Sequence, residues 1–165
     1  MRYAAEVKGI SKVTLNDYNP MAVKLIKKNI TLNKLGKKCI ASKNDANILL
    51  SKNIYGFIDL DPFGPPVQFL DSAARSVYHK GFVAVTATDT IALCGKFPDA
   101  CFRKYGIRSI KAPFYNELGL RILISSIILS FARHERAFVP VLSFPYHHYY
   151  RVFGKVEHEG ALSEI

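Results

Sequence analysis

The chain has 165 residues, which suits one domain better than two. Hydrophobic residues make up 49% and charged residues 22%, so the chain can bury a core and is not of disordered composition. Lys and Arg total 23 against 13 Asp and Glu, and the resulting +10 charge favours a polyanionic partner, either nucleic acid or an anionic membrane surface.

Met1 runs straight into polar and charged residues, with no secretory signal pattern. Lys12 to Asp17 is a short β-branched run that ends in turn formers and reads as a buried strand. Asn19-Pro20 signals a helix start. From Met21 to Leu35, Val23, Ile26 and Ile30, with Leu25 and Leu32 as further candidates, fall near helical spacing, and Gly36 is expected as the C-cap. The unit then recurs: a strand from Cys39 to Asn44, Asp45 at its end, and a short helix from Ala46 to Lys52. Tyr55 to Asp61 is a third strand, followed by Pro62-Phe63-Gly64-Pro65-Pro66 and a helix from Val67 to Tyr78 closed by Gly81. Phe82 to Thr88 is a strand ending at Asp89. Gly95, Pro98, Gly106 and Pro113 break up the segment Thr90 to Tyr115, which reads as irregular. A long helix from about Glu117 to Arg136 precedes two aromatic-rich strands, Ala137 to Phe144 and Tyr149 to Val156.

Strands alternating with helices imply an α/β fold with a mostly parallel sheet. A parallel crossover needs about a dozen residues, so the last two strands, joined by Pro145-Tyr146-His147-His148, are expected to be antiparallel. The longest apolar stretch, Leu118 to Ala132, holds Arg121 and three serines and falls short of a bilayer span. Cys39, Cys94 and Cys101 form an odd set without metal-ligand spacing, so reduced thiols, a cytoplasmic location and no metal are expected.

Ligands of open α/β sheets bind outside the carboxyl ends of the strands. Four such ends carry acids here: Asp17, Asp45, Asp59 with Asp61, and Asp89. A shared site accounts for four acids in succession. A carboxylate after one strand suits a ribose diol, and one after the next suits the amino edge of an adenine. Taken singly, Asp17 and Asp45 read equally well as helix caps or turn residues. Asp61-Pro62-Phe63-Gly64 is the most informative tetrad. An exocyclic amine is a poor nucleophile because its lone pair is conjugated with the base. A carboxylate and the Pro62 carbonyl can both accept its hydrogen bonds, orient the lone pair and stabilise developing positive charge. The Phe63 ring offers a stacking face for an extruded base. A strand-to-turn junction that merely sets geometry is the structural alternative.

The chain resembles the tRNA (guanine-N2-)-dimethyltransferases, which are class I methyltransferases dependent on S-adenosylmethionine. The matching pieces are Arg2-Tyr3-Ala4, Asn16-Asp17 with Asn19-Pro20, Asn44-Asp45-Ala46-Asn47, Asp59-Leu60-Asp61-Pro62-Phe63-Gly64, Val85-Thr86-Ala87-Thr88-Asp89, Leu93-Cys94-Gly95, Glu117 with Leu120-Arg121, and His148-Tyr149 with Arg151-Val152. They occur in family order over nearly the whole chain. The resemblance implies a Rossmann-like sheet with a final antiparallel strand pair, and two methyl transfers to the exocyclic amine of guanine 26 in tRNA. It places Asp17 on the cofactor ribose and Asp45 with the Ala46 backbone on its adenine. It makes Asp61 catalytic with Pro62 and Phe63, gives Asp59 a supporting role, and sets Phe63 and Gly64 against the substrate base. Arg121 and Arg151 are candidates for phosphate contact or for structural roles, and structure is the expectation for both.

The resemblance also implies pieces that residues 1–165 do not supply: the first strand, the Gly-rich loop that cradles the methionyl group, and a C-terminal domain that helps to hold tRNA. The family order of strands runs third, second, first, fourth, fifth, seventh, sixth. Loss of the first strand would expose hydrogen-bonding edges in mid-sheet. Met1 is therefore expected to be internal to a longer protein or the start of a truncated product. Pro65 stands where the family usually has Ser.

Lys24, Lys27, Lys28, Lys34, Lys37 and Lys38 could meet phosphates, although a solvated helix face explains most of them. Adjacent histidines on a strand, as His147 and His148 would be, point to opposite faces, which argues against a shared metal. Glu117 and Arg121 are spaced to pair along a helix. The expected partner is tRNA, with no membrane. The alternatives are an amino-methyltransferase for another RNA or DNA base, and a non-catalytic or split-gene fragment that binds tRNA or a partner subunit.

Overall fold

The computed structural model describes residues 1–158, which form two compact units, residues 1–49 and residues 50 onward. The first unit contains α1 (Arg2–Glu6), β1 (Val13–Asn16), α2 (Pro20–Leu32) and β2 (Cys39–Ser42). α3 (Ala46–Ser51) spans the boundary. β1 and β2 pair in parallel, from Val13 opposite Cys39 to Asn16 opposite Ser42. Ala4, Ile30 and Cys39 are buried together, with Val13, Leu15, Ile26 and Leu35 packed around them. β1 is half-buried along its length rather than fully buried. Leu25 and Leu32 are exposed and stand outside this core.

Asn19 caps α2 as expected: its Oδ1 accepts the Met21 N–H at 2.9 Å, and Pro20 opens the helix. The other end differs from the sequence reading. The chain turns at Lys34, with φ of 56°, and the Leu35 N–H returns to the Ile30 carbonyl at 3.0 Å. The left-handed residue is thus a lysine, two positions before Gly36.

The second unit contains β3 (Tyr55–Leu60), α4 (Val67–Ser76), β4 (Val77–Ala87), α5 (Thr90–Leu93), α6 (Pro98–Tyr105), α7 (Tyr115–Ala132), β5 (Arg136–Tyr146) and β6 (Tyr149–His158). Its sheet runs β3-β4-β6-β5. β3 and β4 are parallel, and β6 is antiparallel to both β4 and β5. The terminal antiparallel pair follows from its short connection, as expected. The two sheets reproduce two portions of the expected strand order, third-second and fourth-fifth-seventh-sixth. Among the described residues, β1 and β3 each have a strand partner on one side only.

Several boundaries move. α4 stops at Ser76 and β4 starts at once, so Gly81 lies within a strand and closes no helix. A Cβ on Gly81 would stand 2.8 Å from the Tyr78 carbonyl oxygen, so the close backbone approach there requires glycine. The segment expected to be irregular holds α5 and α6 instead. Pro98 opens α6, and Gly106, at φ of 74°, ends it. α7 ends at Ala132, short of Arg136, and Glu135 adopts φ of 55° before β5 begins.

α7 is long and apolar enough, by length and composition alone, to cross a membrane. Its Leu123, Ile127 and Phe131 are fully buried in a core with Leu70 and Ala73 of α4, Val83 and Val85 of β4, and Val152 and Val156 of β6. One side of the apolar helix therefore has a protein partner, while Tyr115, Ile128 and Leu129 are exposed. The Glu117–Arg121 ion pair forms at 2.7 Å on the exposed side. β5 is the outer strand of the sheet and carries Pro140 and Pro145. The three cysteines are free; Cys39 and Cys101 are buried, and burial pushes the Cys101 thiol up.

α7 approaches β6 at Gly119, where a Cβ would overlap the Tyr150 ring. The Tyr150 hydroxyl donates to Asn116 Oδ1 at 3.1 Å, and burial pushes its pKa up to about 12. Gly119→Ala should therefore destabilise the second unit by about 1–3 kcal/mol through overpacking. Denaturant unfolding of the variant measures this, and an unchanged midpoint would show that the helix shifts without cost.

Candidate active site

The candidate residues divide between the two units. In the first, Asn16 at the end of β1 clamps the chain after β2. Its Nδ2 donates to the Asn44 carbonyl at 3.0 Å, and its Oδ1 accepts the Asn44 N–H at 3.1 Å. Asp17 Oδ1 accepts the Asn19 N–H at 2.7 Å, an Asx turn leading into α2. Asp45 Oδ1 accepts the N–H groups of Asn47 at 2.8 Å and Ile48 at 3.3 Å, so it caps α3. Both acids thus do the structural job that composition suggested, and each does it with Oδ1. Among the described residues their Oδ2 atoms have no partner. Asn47 Oδ1 is buried and has no donor. A polar group bearing hydroxyl or amine donors suits this set, because each unfilled acceptor is one that hydroxyls or amines can satisfy.

In the second unit, Asp61 to Gly64 follow the end of β3. Asp61 is exposed, and its carboxylate has no protein partner among the described residues. Phe63 is fully exposed. Gly64 turns back at φ of 91°, in the left-handed region that favours glycine. Its N–H donates to Thr88 Oγ1 at 2.7 Å, and its carbonyl accepts the Thr88 N–H at 3.2 Å. The tetrad after β3 is therefore fixed to the end of β4, the neighbouring parallel strand.

The other two strand-end acids are engaged. Asp59 receives both terminal nitrogens of Arg151 from β6, each at 2.8 Å. Asp89 accepts the Tyr105 hydroxyl at 2.6 Å and the Lys104 ammonium at 2.9 Å, with its side chain 11% exposed. Burial first, then the bond to Asp89, raises the Tyr105 phenol above its usual range. Asp89 is thus a tie between the end of β4 and α6, and a site shared by all four strand ends does not extend to it. Thr88 escaped the sequence reading because a strand-end threonine looks like ordinary β-propensity. Only the return of the chain at Gly64 reveals its role.

The family model described as N2,N2-dimethylguanosine tRNA methyltransferase matches residues 1–164. The chain belongs to that family. It is 40% identical over 161 residues to the tRNA (guanine(26)-N(2))-dimethyltransferase of Methanosphaera stadtmanae, covering 96% of this chain and 41% of the relative. It is 43% identical over 157 residues to the enzyme of the same name from Sulfolobus acidocaldarius, covering 95% and 41%. The chain thus spans about two fifths of the length of the curated relatives it matches. Among solved structures, Trm1 from Pyrococcus horikoshii in complex with S-adenosyl-L-methionine matches with a TM-score of 0.92 and 35% identity, covering 99% of this chain and 48% of that one. TYW2 of M. jannaschii in complex with AdoMet matches with a TM-score of 0.55 at 13% identity, covering 93% and 61%, a likeness of fold alone. The class I methyltransferase fold that the resemblance implies is thereby shown.

Thr88→Val keeps the side-chain shape and removes the acceptor for the Gly64 amide. It should cost about 1 kcal/mol of stability and speed exchange of the Gly64 amide proton. Hydrogen exchange by NMR reads this directly, and unchanged protection at Gly64 would show that the clamp is not needed.

Proposed function

We propose that residues 1–165 belong to the catalytic domain of an S-adenosylmethionine-dependent methyltransferase that dimethylates the N2 amine of guanine 26 in tRNA. The observation that carries this reading is the unengaged Asp61 carboxylate beside a fully exposed Phe63, on a loop pinned by Thr88. The two neighbouring strand-end acids, Asp59 and Asp89, are occupied, so Asp61 is the acid open to an incoming amine. Family membership supports the reaction class.

In the first transfer Asp61 and the Pro62 carbonyl accept hydrogen bonds from the two N–H groups of the guanine amine, and in the second one of them accepts the remaining N–H. This turns its lone pair towards the methyl donor and lowers the cost of positive charge on nitrogen. Asp61 can take the proton that the amine sheds as the N–C bond forms. Phe63 stacks on the base, with Gly64 keeping the loop backbone close to it. Bound S-adenosylmethionine supplies an electrophilic methyl group. Asp17 is assigned to its ribose hydroxyls, and Asp45 with the Ala46 backbone to its adenine. The open Oδ2 atoms and the donorless Asn47 Oδ1 fit that assignment. Residues 1–49 carry ten Lys and Arg against three Asp and Glu, so the attraction to a polyanion is concentrated in the first unit. Cytoplasmic tRNA is the expected partner.

The test uses the full-length protein and tRNA transcripts. Methyl incorporation should disappear when guanine 26 is replaced by adenine, and retained incorporation refutes the substrate. Asp61→Ala should lower transfer by at least about a hundredfold while calorimetric binding of S-adenosylmethionine stays within about twofold. Normal turnover would make the tetrad structural. Absence of any cofactor binding by the wild type would favour a non-catalytic fragment.

A further inference from the structure

Arg151 sits opposite Thr86 in the β4–β6 register, and Asp59 lies one strand further, on β3. The arginine side chain crosses β4 to reach it. Its two terminal nitrogens take both Asp59 oxygens at 2.8 Å, and Nη1 also donates to Thr86 Oγ1. The guanidinium lies over the Phe153 ring, 4.8 Å from its centre, and Phe153 stacks on Phe144 of β5. The arginine side chain is 12% exposed and that of Asp59 is 26% exposed. One planar cation therefore ties three strands together just behind the Asp61 loop. A fork on a carboxylate, shielded on one face by an aromatic ring, is far more specific than a solvated surface pair.

Its position gives the tie a second consequence. Asp59 and Asp61 are two residues apart. Where the alternation of β3 carries one residue past Leu60, Asp59 and Asp61 share a face, with backbone positions about 6.6 Å apart. An unheld Asp59 would be a rival acceptor for any amine presented to Asp61. We propose that Arg151 is a positioning residue for methyl transfer: it occupies both oxygens of Asp59, so the amine meets Asp61 alone, and it fixes the strand from which the Asp61–Gly64 loop departs. This goes beyond a structural ion pair and rests on the methyl-transfer reading above.

The experiment compares wild type, Arg151→Lys and Arg151→Lys/Asp59→Asn in the full-length protein, with steady-state kinetics on tRNA and thermal melting of each. Lysine keeps the charge but loses the fork. Arg151→Lys should melt near the wild type and lose about tenfold in kcat, with KM for S-adenosylmethionine and for tRNA each within about twofold. Adding Asp59→Asn should recover part of that kcat, because the amide is a weaker rival; a purely structural tie would gain nothing from the second change. An unchanged kcat in Arg151→Lys overturns the inference. So does a rise in KM for tRNA alone, which would make Arg151 a phosphate contact, and so does a failure of Asp59→Asn to recover activity. A wild-type protein that does not methylate tRNA overturns the function itself, whereas an active wild type with a normal Arg151→Lys overturns this inference alone.

Discussion

Two hydrogen bonds between Gly64 and Thr88 set the course of the Asp61–Gly64 loop in the second unit. A loop of four residues leaving a strand has many conformations, and each one lost costs entropy. Anchoring its last residue to the adjacent strand removes most of them. Gly64 can make both bonds because it adopts a backbone conformation that side-chain-bearing residues avoid. With the return of the chain fixed there, Asp61 and Phe63 are displayed instead of folding back into the protein. The threonine at the end of β4 and the glycine after β3 act as one device.

Around that device, the acids are sorted by what holds them. Asp59 and Asp89 are drawn into ion pairs with Arg151 and Lys104, and Asp89 also receives the Tyr105 hydroxyl. Asp17 and Asp45 lend one oxygen each to a turn and a helix cap. Asp61 lends nothing. Residues of one type at equivalent strand ends thus differ in engagement because their neighbours differ. Among the described residues, Asp61 is set apart by the partners it lacks, against acids whose partners are plain.

The pattern of β-branched runs, acids at strand ends and Pro or Gly breakers made the α/β order and the antiparallel final pair readable from sequence. Local signals worked where one residue decides the outcome, as at Asn19-Pro20. They failed where a long-range contact decides. Gly36 looked like a helix end, but the chain turns at Lys34, because the Leu35 amide can return to Ile30 there. Gly81 looked like a helix stop, but it is a strand residue pressed against a neighbouring backbone. The stretch after Asp89 looked irregular because Pro98 and Gly106 were read as breakers, when they begin and end α6. The tetrad was legible as a string. The roles of Thr88 and Arg151 were not, since each depends on residues that are distant in the chain.

The second unit's sheet also has unequal sides. On β5, Pro140 and Pro145 carry no N–H, so an incoming strand would find gaps in the hydrogen-bonding ladder. β3, at the opposite end, has no proline from Tyr55 to Leu60. The two outer strands of this sheet are therefore chemically unlike: the backbone of β5 lacks two donors, whereas every residue of β3, the strand that leads into Asp61, carries an N–H.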